Sequence, residues 1–171
     1  MTELERLKEF LNANIVGFPI IIAKPRVKAP PMPYAVIKQI PSSEDRGVLR
    51  TRTRKDETTI TETIVRRIEL YLQFDMYATT NDSAYENACK LKENIYTILR
   101  DKLNLEGFGV LEQRSSNDIT DRTYLEQSDF VYRYGFDVII DTKRTVTMDT
   151  EEPQTIILKD LNYDEDLTIN K

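Results

Sequence analysis

The chain has 171 residues, 40% of them apolar, with 24 basic against 29 acidic side chains and a formal charge of −5. That is about one domain of chain with enough apolar content for a core, and its longest uncharged apolar run, Phe18 to Ala23, falls far short of the roughly 18 residues of a bilayer span. One cysteine, Cys89, and no histidine remove an internal disulfide, Ser-His-Asp and Cys-His mechanisms, the usual zinc sites and the commonest general base near neutral pH.

The first residues, MTELERLKEF, carry acids where a signal peptide needs a basic and then an apolar stretch, so the expectation is a soluble protein made in the cytosol. Residues 2–13 read as a helix, with Leu4, Leu7, Phe10 and Leu11 on one stripe and Thr2 as N-cap. Gly17 and Pro19 end it, and 18–23 reads as a short buried strand. The stretch 24–34 contains Pro25, Pro30, Pro31 and Pro33, which forbids a regular helix or central strand and predicts an extended surface connector. Residues 34–40 (YAVIKQI) then read as a strand that Pro41 stops.

Residues 41–63 are polar, charged and threonine-rich, and alternating T-R-T-R and T-T-I-T-E-T segments favour extended backbone. They predict a long, mobile β-hairpin arm or loop between two core strands. From Ile64 to Ala78 the even positions (Ile64, Ile68, Leu70, Leu72, Phe74, Met76) are apolar, apart from Arg66, whereas the odd ones, apart from Val65, carry charge, glutamine and tyrosine. One face is packed and the other is wet or docked. Ser83 with Glu86 predicts a capping box, and Ala84, Ala88, Leu91, Ile95, Ile98 and Leu99 continue at helical spacing to Leu103, a single helix about 30 Å long. Asn104, Gly107 and Gly109 end it. A short strand near 108–112 and a polar loop through Asp121 lead to a second clear strand, 130–141. An extended piece at 144–148 follows, then an acidic tail with one apolar island, Ile156, Ile157 and Leu158. The order predicts an α+β domain: a mainly antiparallel sheet packed against one long helix plus an N-terminal helix, with a long hairpin arm. The division expected is a domain over 1–147, with 41–63 as arm, and an acidic C-terminal extension over 148–171.

Charge is uneven along this layout. Residues 1–40 hold six basic and three acidic side chains, 41–70 seven and six, 71–141 seven and thirteen, and 142–171 four and seven. Arg46, Arg50, Arg52, Arg54 and Lys55 make a local basic run with no acid inside it. Its bland reading is a solvated hairpin arm; its functional reading is a contact point, for which an acidic chain is otherwise poorly suited if the partner is nucleic acid.

Nothing in the sequence builds a catalytic site. Asp137 and Asp141 share a strand face but stand about 13 Å apart, too far for one metal, and Asp75 and Glu69 fare no better. Cys89 lacks a histidine partner and reads as a small core residue. The G-F-G at 107–109 lacks the further glycine and the setting of a phosphate loop. No catalytic, cofactor or metal residues are assigned, no cofactor is expected, and the candidates are contacts: Arg50, Arg52, Arg54 and Lys55 in the arm, with Ile156, Ile157 and Leu158 in the tail. Long connectors of this kind often order only against a partner.

Together the leading helix, the connector ending in P-P-M-P-Y-A-V-I (30–37), the polar arm, R-I-E-L-Y-L-Q-F-D-M-Y-A (67–78), S-A-Y-E-N-A-C-K-L-K-E-N-I-Y-T-I-L (83–99) and Y-R-Y-G-F-D-V-I-I (132–140) resemble the neck or tail terminator proteins of tailed bacteriophages. The likeness covers residues 1 to about 147. It implies a non-enzymatic virion protein, a ring of usually six subunits at the head-proximal end of the tail tube. The ring halts tube polymerisation and joins the tail to head-completion or connector proteins. It further implies assembly in the host cytoplasm, no membrane, and DNA only as cargo in the lumen. A compact domain of this length has a radius of gyration of about 15–16 Å, so any channel for a duplex must be oligomeric, and an acidic bulk suits a conduit that does not grip DNA. The rivals are a tail completion factor of similar fold and a generic module using the basic arm on nucleic acid.

Overall fold

The computed structural model describes residues 2–24, 28–41, 45–54, 59–112, 118–126, 129–151, 155–159 and 166–170. Helix α1 (Glu3–Asn14) begins where the sequence places it. Thr2 Oγ1 accepts from the Glu5 amide at 3.2 Å and the Glu5 carboxylate accepts from the Thr2 amide at 3.0 Å, a reciprocal capping box that satisfies two orphan donors. Leu7 and Leu11 on its inner stripe are fully buried. Asn12 then does the work of a neighbouring strand: its side-chain amide donates to Ile20 O and accepts from Ile20 N, both at 2.8 Å. Those bonds tie the helix to the first residue of strand β1 (Ile20–Ile22).

Strand β2 (Tyr34–Ile40) has the predicted bounds. β3 (Asp45–Arg54) and β4 (Thr59–Ala78) are paired with each other, so the arm is a hairpin whose second strand runs unbroken into the core strand. β8 (Asp129–Glu151) is likewise one strand where the sequence predicts two pieces. β5 (Gly109–Val110), β6 (Thr120–Asp121) and β7 (Tyr124–Glu126) all pair with β8. The main sheet runs β1-β2-β4-β8-β5. It is mixed: β1 lies parallel to β2, and the registered pairs of β2 with β4 and of β5, β6 and β7 with β8 are antiparallel.

The single long helix is the main correction. The chain instead forms α2 (Asn81–Glu93), a π-helical turn (Asn94–Ile98) and α3 (Arg100–Leu105). Leu99 N donates to Asn94 O at 2.8 Å, a five-residue span where an α-helix has four. The cap also differs: Thr80, not Ser83, is the N-cap and accepts from the Ser83 amide at 3.3 Å. At the other end Gly107, at φ +85°, takes the left-handed conformation that a side chain disfavours. Its amide donates to Asn104 O and the Phe108 amide to Leu103 O, the two bonds of a Schellman stop that turns Phe108 into the core.

Two compact units divide the chain, residues 1–46 with 67–143, and residues 47–66 with 144–171. The hydrophobic cluster belongs to the first. There Leu70, Leu72, Phe74 and Met76 of β4 and Phe136, Val138 and Ile140 of β8 pack with Leu7, Leu11, Leu91, Ile95 and Leu103 of the helices. The Phe74 and Phe136 rings stack at 5.4 Å, and burial of each contributes about 2–3 kcal/mol. In the second unit β9 (Thr155–Lys159) and β10 (Asp166–Asn170) form an antiparallel pair. No helix among the described residues is long and apolar enough to cross a membrane.

Candidate functional site

With the even-numbered residues of β4 in the core, alternation sends Gln73, Asp75 and Tyr77 to the other face of the sheet. β2 lays Tyr34 beside Tyr77 and Val36 beside Asp75, and the two tyrosine rings stack at 4.9 Å. Asp75 is only 3% exposed. An ionised carboxylate is costly to bury unless it is fully partnered, and here it is. Arg122 Nη1 reaches Asp75 Oδ1 and Arg133 Nη2 reaches Oδ2, each at 2.7 Å. Arg122 also bonds Asp137 through Nη2 at 3.1 Å, and the Arg133 guanidinium lies 5.6 Å from the Tyr77 ring centroid.

Gly135 makes room for this cluster. A Cβ there would meet the Asp75 carboxylate, and would stand 2.5 Å from Phe74 O and 2.6 Å from Arg122 Nη1. Backbone bonds fix the approach from the other side: β6 pairs Thr120 with Gly135, and Arg122 N donates to Arg133 O at 2.8 Å. Burial opposes the Arg122 charge, but the bonds to Asp75 and Asp137 outweigh it and hold its pKa above the ordinary value. Burial pushes the Tyr77 hydroxyl up to about 12 and raises Tyr34 as well. Both Asp75 oxygens are engaged by guanidinium groups, which leaves this cluster a clamp rather than a ligand cage. Among the described residues no group of three or more acids or Cys is placed to hold a metal.

The predicted contact residues lie elsewhere. Arg50 and Arg52 are exposed on β3, whose last residue is Arg54; Lys55 lies outside the described residues. Arg52 Nε stands 3.7 Å from the buried carboxylate of Glu62. Ile156, Ile157 and Leu158 are the centre of β9, opposite Ile169, Thr168 and Leu167 of β10. Both sets fall in the second compact unit. Cys89 is half-buried and hydrogen-bonds Tyr85, whose hydroxyl it pushes up. It also lines an open cavity of about 460 Å³ with Lys92, Glu93, Tyr96, Thr97, Glu112 and Ile119. Sequence reasoning missed Arg122 and the role of Asp75. The available signals were a glycine inside a strong strand, which marks a close approach, and Asp75 set between Gln73 and Tyr77 on the polar face of β4.

Residues 4–165 match the phage neck terminator proteins. The chain belongs to that family. No curated protein sequence matches it. The matched span passes residue 147, where the sequence pattern places its end, and takes in β9. Neck terminator proteins are structural proteins of the phage neck, so this chain is a structural component of the virion neck and works by contact with other phage tail and head proteins.

Proposed function

We propose that the chain forms a ring, of six copies, that caps the head-proximal end of the tail tube, stops its polymerisation and receives the head-completion protein. The observation that carries this reading is β3. Among the described residues its partner strand is β4, which leaves its other edge open, and its side chains Val48 (48% exposed) and Leu49 (65% exposed) stand in solvent. Such an edge either aggregates or adds to another chain. In a ring every subunit presents two different surfaces, and an edge strand is one ready surface. The arm 41–63 and the extension 148–171 are the contact segments in this scheme, and the domain 1–147 is their platform. DNA passes through the lumen as cargo.

Tube assembly with purified tube protein tests it. Substoichiometric terminator is expected to shorten the tubes seen by electron microscopy, because one ring blocks one end. Tubes of unchanged length at equimolar terminator contradict the reading.

The exposed guanidinium groups of Arg50 and Arg52 favour one other use of the arm, as a nucleic-acid contact. That binding would fall with salt by a slope of about 0.9 per phosphate neutralised, and serine at Arg50, Arg52, Arg54 and Lys55 would abolish it. Absence of DNA affinity at low salt ends this alternative.

A further inference from the structure

The hairpin that carries Arg122 ends in an acidic and apolar tip. β7 pairs with the start of β8 so that Tyr124 opposes Val131, Leu125 opposes Phe130, and Glu126 opposes Asp129. Glu126 and Asp129 are exposed, and like charges in directly opposed positions destabilise a hairpin. The nearest cations along the same two strands, Arg122 and Arg133, are turned inward on Asp75. Among the described residues neither tip acid has an ion-pair partner. By alternation Tyr124 (42% exposed) shares the face of these two acids. The arrangement is unfavourable alone and favourable against a paired cation.

β3 carries the complementary pattern. Alternation puts Val48 (48% exposed), Arg50 and Arg52 on one face. Arg50 has no ion pair among the described residues, and Arg52 has only the long 3.7 Å approach to Glu62. The two arginines are spaced about 6.6–6.8 Å along the strand, and the two opposed acids about 4.5–5.5 Å at Cβ, a difference that long guanidinium side chains absorb. Each surface thus offers an apolar patch followed by two like charges, of opposite sign in the two.

We propose that the tip of one copy, through Tyr124, Glu126 and Asp129, docks on residues 48–52 of β3 in a second copy of the chain. The contact is heterologous, so repetition closes a ring or extends a filament. It rests on the ring reading above and names the surfaces that reading needs. Charge pairing across it fixes the register and rejects wrong partners.

The test uses full-length chains and native mass spectrometry across a concentration series, with circular dichroism to verify folding. Arg50→Glu with Arg52→Glu, and in a separate variant Glu126→Arg with Asp129→Arg, are each expected to weaken assembly more than about tenfold, since like charges then face each other. An equimolar mixture of the two variants is expected to regain wild-type assembly, because every arm then meets a tip of opposite sign. Two variants that fail only by unfolding cannot rescue one another. A wild-type ring left intact in both variants, or variants that fail alone and stay apart when mixed, overturns this contact and leaves the ring reading standing. A wild-type chain that remains monomeric both alone and with tube protein overturns the ring and the contact together.

Discussion

Asp75 of β4 and Arg133 of β8 meet carboxylate to guanidinium at 2.7 Å, with 4% and 25% of their side chains exposed. A second guanidinium, Arg122, holds the other Asp75 oxygen at the same distance. The pair therefore joins a core strand to the base of the hairpin built from β6, β7 and β8. The clamp fixes where the hairpin leaves the sheet, and so where its tip can reach.

Removing the central charge strands two arginines. Asp75→Asn is expected to destabilise the fold by about 3 kcal/mol, the scale for breaking a buried ion pair from one side. Urea denaturation reads this directly. A loss within about 0.5 kcal/mol would show that Arg122 and Arg133 find water or Asp137 at little cost.

Gly135→Ala forces a methyl group against Asp75, Phe74 O and Arg122. Backbone and a fully engaged carboxylate cannot step aside as a flexible chain end can, so a loss of about 1–3 kcal/mol is expected. Faster amide exchange at Arg122, whose N–H bonds Arg133 O, is the accompanying local signature.

Tyr77 supplies a pH dependence. Its hydroxyl is raised from about 10 to about 12 by burial, so the folded state prefers the neutral phenol. A group raised on folding contributes stability that is complete below the unfolded value and disappears as pH climbs through the folded one. Stability is expected to fall between pH 10 and pH 12, and Tyr77→Phe to fall less steeply. Urea midpoints at pH 9 and pH 11 for both proteins check it; equal slopes contradict it.

Among the described residues the hydrophobic cluster runs from Leu7 to Ile140, so deleting residues 150–171 is expected to leave a cooperative melt near the wild-type midpoint while weakening assembly. Loss of the melt would place Ile156, Ile157 and Leu158 in the core.

The elements with a full apolar period were legible in the sequence. α1, β2 and the core halves of β4 and β8 follow their hydrophobic patterns, because burial of one face decides both period and register. The π turn at Asn94 was not, since Leu91, Ile95, Leu99 and Leu103 fit an unbroken helical stripe equally well. β6 and β7 were hidden because short edge strands carry no period of their own; β8 recruits them. The clamp was hardest to see. Asp75 lies 47 residues before Arg122 and 58 before Arg133, and the register of β6 on Gly135 sets Arg122 beside it. The basic arm was visible as composition, whereas the acid pair at Glu126 and Asp129 became apparent only once β7 was paired with β8.

The central claim is assembly at the tube end, and the mass of the purified protein, alone and mixed with tail tube, tests it most directly. The account predicts a ring of about 120 kDa, six copies of the 20.0 kDa chain, free in solution or formed on the tube end. A stable 20.0 kDa monomer that does not associate with tube protein would contradict it.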